Sequence, residues 1–194
     1  MMKTEILDFV RNMKATDHVI LFYSNPEDKH LVLFTYLKAG LDNGEAAAYI
    51  AGEESVAEVR RAMKNFGFEV EELEEKHALK VIDYRDWYII QGKFETSKTM
   101  ELWKKLYEEA VSKGFKGLRV TGEMSCFFKH GMVRELVEYE AALHRVLDLP
   151  IAAICAYNTD VVAKEGDGEL FLDLIKAHST VIILGPKAGV IKSY

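Results

Sequence analysis

Residues 117–124, GLRVTGEM, carry two charges where charges are costly. A strand sends alternate residues to opposite faces, so Leu118, Val120 and Gly122 share one face and Arg119, Thr121 and Glu123 the other. Strands of a covered parallel sheet normally read as unbroken apolar runs. Arg119 and Glu123 therefore need partners, water or a ligand, because an unpaired buried charge is strongly destabilising. Further along, Glu140 falls within the helical stripe Val133, Leu136, Val137, Leu143 and Leu147, which turns its carboxylate toward the sheet. Arg119 and Glu140 are expected to form a fork-shaped ion pair that fixes helix register, a structural and not a catalytic role. Glu123, beside Met124, Ser125 and Cys126 at the open end of its strand, either faces a pocket or caps the following turn.

Other chemistries find less support. Cys126-x-x-x-His130, with His144 or another His to complete it, offers two ligands and no matched second pair, so no metal centre is expected. No Ser-His-Asp elbow or H-E-x-x-H pattern is present. A phosphate loop needs glycines for close backbone approach and a lysine for charge. The turn after the first strand reads YSNPEDKH instead, and Glu27 and Asp28 occupy the helix turn whose N–H groups would meet a phosphate. GPKAGVIK near the end has the wrong spacing.

The elements that position these groups alternate between strand and helix. Strands are expected at 18–23, 46–52, 79–84, 117–124, 151–158 and 180–185, and the tail AGVIKSY is expected to fold back as an edge strand. Helices are expected at 4–14, 26–42, 55–67, 96–114, 132–147 and 170–176. Asn25 and Pro26 open the second of these, and Thr96 or Ser97 caps the fourth. RDWYIIQGKF has no helical period and reads as a loop or small hairpin. It is too apolar for a solvated loop, so it either packs on the core as a flap or roofs a cavity. This order implies one α/β domain: a mostly parallel sheet of about six strands, with helices on both faces and an antiparallel C-terminal edge.

In such sheets ligands bind beyond the carboxyl ends of the strands. That rule brings Tyr23, Ser24, Asp83, Tyr84, Glu123, Tyr157 and Asn158 to one edge and His18 to the opposite one, where a structural hydrogen bond is its expected role. The ligand-binding candidates are Tyr23, Ser24, Asp83, Trp87, Glu123, Cys126 and Tyr157. The chain of 194 residues is 49% hydrophobic with a net charge of −6, which argues against nucleic acid or an anionic membrane as partner. Cys126 and Cys155 read as buried free thiols of a cytoplasmic protein, and the N-terminus lacks the apolar run of a signal peptide.

From residue 17 to about 158, the order DHVILFY, AGLDNGEAAAYIA, WYIIQGKF, GLRVTGEMS, VEYEAAL and AAICAYN resembles the MEDS domain. This is the methanogen/methylotroph sensory domain named for a dichloromethane-responsive regulator. The resemblance implies a RecA/KaiC-like fold without a phosphate loop. It also implies a sensory domain for small organic or hydrocarbon-like compounds. Cys126 stands where the family has a large aromatic, and CAYN lacks the Gln and the acid of the family's ending, so ligand identity is not carried over. The expectation is a non-enzymatic sensor without a cofactor. It would bind a small organic ligand between Tyr23, Trp87, Glu123 and Tyr157 and signal to a separate kinase or transcription regulator; a homodimer is compatible with this. A nucleotide-binding relative with a degenerate loop, and a pure protein-interaction module, stay open as alternatives.

Overall fold

The computed structural model describes residues 2–146, 149–166, 168–185 and 189–194, with the backbone only at 2–3 and 144–146. Leu147 and the side chain of His144 lie outside the described residues. The strands are β1 (His18–Tyr23), β2 (Ala46–Ala51), β3 (Leu79–Asp83), β4 (Leu118–Glu123), β5 (Ile151–Asn158), β6 (Thr180–Leu184) and β7 (Gly189–Ser193). They form one sheet in the order β3-β2-β4-β5-β1-β6-β7. All pairs are parallel except β6–β7, the antiparallel edge that the tail was expected to form.

Helices cover both faces, as a parallel sheet requires. One face carries α1 (Met2–Arg11), α2 (Pro26–Asp42), α3 (Val56–Phe66) and α4 (Val70–Glu75) over Val19, Leu21, Tyr23, Tyr49 and Ile154. The other carries α5 (Thr96–Ser112), α6 (Ser125–Lys129), α7 (Val133–Val146), α8 (Thr159–Glu165) and α9 (Gly168–Lys176) over Ile20, Phe22, Val120, Cys155 and Tyr157. None of the described helices is long and apolar enough to cross a membrane.

Local chemistry sets the helix starts. The Asn25 side chain accepts from the Glu27 N–H at 2.7 Å, and Pro26 takes the first helical position of α2. Ser55 and Glu58 form a reciprocal capping box at α3. The expectation that Thr96 or Ser97 caps α5 is corrected. The Glu95 carbonyl already accepts the Thr99 N–H at 3.1 Å, closing the first turn one residue earlier, and Glu95 caps without a side-chain bond.

Arg119 ties three elements of the first face together. Its Nε donates to Glu45 Oε2 at 2.7 Å, and its remaining N–H groups donate to the carbonyls of Val10, Arg11, Met13 and Tyr36. The guanidinium thus closes the end of α1 onto α2 and β4, at 2% exposure. Replacing it leaves buried acceptors unpaired, so Arg119→Met is expected to cost about 3–5 kcal/mol. Chemical denaturation of both proteins checks this; a loss under about 1 kcal/mol would show that water takes over these acceptors.

Candidate functional site

The carboxyl ends of β1, β2 and β4 converge on Glu123, which is fully buried. Its Oε1 accepts from Lys29 Nζ at 2.5 Å and the Tyr49 hydroxyl at 2.6 Å. Its Oε2 accepts from the backbone N–H of Gly52 at 2.8 Å and of Glu53 at 2.7 Å. Gly52 is required here, because a Cβ would lie 2.2 Å from the Glu123 carbonyl oxygen. Both readings of Glu123 at the sequence level are too narrow: it is an internal anion held in a cradle of donors from three elements. Lys29 also reaches Glu54 at 2.7 Å, and Glu54 Oε2 lies 2.7 Å from His30 Nε2. Burial pushes the Glu54 carboxyl up, but the hydrogen bonds from His30 and Lys29 outweigh it and hold it at about 2. Burial likewise works against the Lys29 ammonium, and Glu123 beside it more than compensates. Ser125 donates to Glu53, closing the rim of this cluster.

The turn that would hold a phosphate is therefore occupied by the protein's own charges. Lys29, the cation nearest the start of α2, is spent on Glu123 and Glu54, and Glu27 and Asp28 line the first helical turn.

On the opposite face the 84–94 segment packs against the core as a flap. A 3-10 turn at Tyr84–Asp86 leads to buried Trp87, Tyr88 and Ile89, and an Ile90–Lys93 bridge closes a small hairpin. Trp87 meets Trp103 edge-on at 4.5 Å, and Tyr88 and Phe94 both pack on Phe127 and Tyr139. Tyr88 lies over Gly122, where a Cβ would come within 2.2 Å of its hydroxyl. Trp103 Nε1 donates to the Tyr139 hydroxyl at 2.8 Å. The buried Trp87 Nε1 has no hydrogen-bond partner among the described residues.

The sheet divides the expected ligand set. Tyr23 and Glu123 belong to the first face, whereas Trp87, Cys126 and Tyr157 belong to the second. Ser24 lies exposed between β1 and α2, and Asp83 is taken up by Arg85 at the end of β3. Cys126 donates weakly to the Glu123 carbonyl, and burial pushes its thiol up to about 12. An open groove of about 390 Å³ lies elsewhere, between α2 and α3 beside His30, Phe34 and Phe66.

The expected Arg119–Glu140 pair does not form. Arg119 points to the α1–α2 face and Glu140 descends from α7 on the other side of the sheet. Glu140 instead meets His18, His178, Cys155 and Tyr157, all buried. Burial raises its carboxyl, and His178 and His18 outweigh that and hold it well below the usual range. His18, expected to play a structural part at the opposite edge, and His178 in the turn before β6 pack as tilted rings with centroids 4.0 Å apart. Lys29 and His178 went unnoticed at the sequence level. Lys29 sits in the polar run PEDKH, and only its place one turn into α2 would have turned it inward.

The family model of the MEDS domain, the methanogen/methylotroph, DcmR sensory domain, matches residues 17–179. A KaiC-like protein of Pyrococcus horikoshii superposes with a TM-score of 0.64 at 15% identity, covering 92% of this chain and 79% of that one. The flagellar accessory protein FlaH of Methanocaldococcus jannaschii gives 0.67 at 15% identity, covering 97% and 84%. An uncharacterized P. horikoshii protein in complex with an unknown peptide gives 0.67 at 14% identity, covering 97% and 86%. At these identities the likeness shows a RecA/KaiC-like fold. No curated protein matches the chain.

Glu54 supplies a pH signature of the first cluster. Its folded value of about 2 lies below the ordinary 4.5, so its stabilisation is complete above about pH 5 and is lost as pH falls toward 2. Glu54→Gln is expected to be less stable than wild type at pH 7 and to lose less stability on acidification. Parallel curves across pH 7 to 3 would show that Glu54 gains nothing from Lys29 and His30.

Proposed function

Because the chain belongs to the MEDS family, we propose that it works as a sensory domain for a small, largely apolar organic molecule bound beneath the 84–94 flap. The observation that carries this reading is the buried Trp87 indole, whose N–H has no acceptor inside an otherwise aromatic cluster. A buried donor left without a partner costs about 1–3 kcal/mol. An apolar molecule carrying one acceptor atom recovers that cost while burying its surface against Trp87, Trp103, Tyr88, Phe127 and Tyr139. Cys126 and Tyr157, on the same face, complete the candidate surroundings.

Binding at this place would shift the flap, whose Ile90 is 38% exposed and whose turn holds Gln91 and Gly92 at positive φ. The altered flap would be read by a separate signalling protein, a kinase or a transcription regulator. Of the two alternatives, nucleotide binding has the fold in its favour, and the internal ion pair at the start of α2 weighs against it.

Trp87 and Trp103 are the only two tryptophans, so intrinsic fluorescence reports on this place directly. Titration with small halocarbons, alcohols and ketones is expected to give a saturable change for at least one class. That compound at 100 times its dissociation constant should add about 2.7 kcal/mol of stability. Trp87→Phe, which keeps a ring but loses the donor, should weaken binding about tenfold, the worth of one hydrogen bond. If no organic compound shifts fluorescence or melting while a purine nucleotide raises the melting temperature, this reading fails.

A further inference from the structure

We propose that His18, Glu140, Cys155 and His178 form a closed tetrahedral site for a divalent metal ion of the zinc class. One ligand atom from each lies within 4.8 Å of the others, and all four residues are buried. Four of the six separations match what such an ion demands, and the other two lie within 4.8 Å. With bonds of about 2.0–2.1 Å to N or O and about 2.3 Å to S, tetrahedral ligand atoms stand about 3.3–3.6 Å apart. His18 Nε2 is 3.3 Å from Glu140 Oε2 and 3.4 Å from Cys155 Sγ. Glu140 Oε2 is 3.4 Å from His178 Nε2 and 3.5 Å from Cys155 Sγ.

The outer contacts are those that orient metal ligands. His178 Nδ1 lies 2.6 Å from the Leu174 carbonyl, so it carries the proton and donates. That turns Nε2 toward the Glu140 carboxylate, 3.4 Å away and at 0% side-chain exposure. Either a proton on Nε2 or a metal cation between the two makes that approach favourable, and a metal cation would serve all four groups at once. On the far oxygen, Tyr157 donates to Glu140 Oε1, which leaves Oε2 for the cluster.

The charge count also suits a dry interior. On binding, the Cys155 thiol gives its proton to solvent, and thiolate plus carboxylate balance a divalent ion while both histidines stay neutral. The ion would join the start of β1, the middle of β5, α7 and the turn before β6. This proposal stands apart from the sensory reading, since it needs neither the flap nor an organic ligand.

Metal content and cobalt spectroscopy on the full chain test it. Protein purified from zinc-supplemented medium is expected to retain one equivalent of metal through dialysis. After chelation, Co²⁺ should give tetrahedral d–d bands and a thiolate charge-transfer band. Cys155→Ser should abolish the charge-transfer band, whereas Cys126→Ser should leave the spectrum unchanged. Tyr157→Phe, which keeps all four ligands, should weaken cobalt affinity on the order of 10–100-fold and retain the bands. Should Cys155→Ser fail to fold, the wild-type spectrum and the Tyr157→Phe affinity still decide. Wild type that holds no stoichiometric metal and shows no thiolate band with cobalt overturns the proposal. So do bands that persist unchanged in Cys155→Ser.

Discussion

Burying Lys29 and Glu123 together, at 1% and 0% side-chain exposure, removes two ions from water at a cost of several kcal/mol each. Attraction between them offsets that cost only when the remaining lone pairs and protons also find partners. Here they do: Tyr49 and the amides of Gly52 and Glu53 complete the carboxylate, and Glu54 completes the ammonium. Removing any member leaves a charge without compensation. The ends of β1, β2 and β4 and the first turn of α2 are thus locked to one arrangement. The same contacts fill with protein charge the place where a RecA-like chain would offer free amides and a lysine to phosphate.

The sheet separates two kinds of interior. The α1–α4 face is fastened by charge, through Arg119 at one end of β4 and Glu123 at the other. The α5–α9 face is fastened by rings around Trp87, Tyr88, Trp103 and Tyr139, with the His18–Glu140–Cys155–His178 group beside them. A fully paired ionic network resists movement, because every displacement strands a charge. Aromatic packing under a short hairpin, with one donor unspent, can rearrange at lower cost. Under the proposed sensory reading, a ligand-driven change would fall on the second face, with the first as its rigid frame.

The strands, α2 with its Asn25–Pro26 start, and the antiparallel tail were legible from the sequence, since each rests on local periodicity or capping. The RecA/KaiC-like fold and the family were legible from the order of short motifs. The partners of the buried charges were not. Alternation along β4 correctly set Arg119 and Glu123 on one face, but alternation does not reveal which helix layer covers that face. Arg119 was thus paired with Glu140 of α7, although the face belongs to α1 and α2. Lys29 and Glu123 stand 94 residues apart, and the His18–His178 ring contact joins two ends of the matched region. Such meetings are products of strand order, β5-β1-β6 for the histidines, which no local pattern carries.

Internal ion pairing occupies the start of α2, the place a phosphate would need. Calorimetric titration of the wild-type chain with Mg-ATP up to millimolar concentration tests it most directly. No saturable heat is the predicted result. A saturable isotherm with one nucleotide per chain would mean that Lys29 leaves Glu123 to take a phosphate, and would contradict the account.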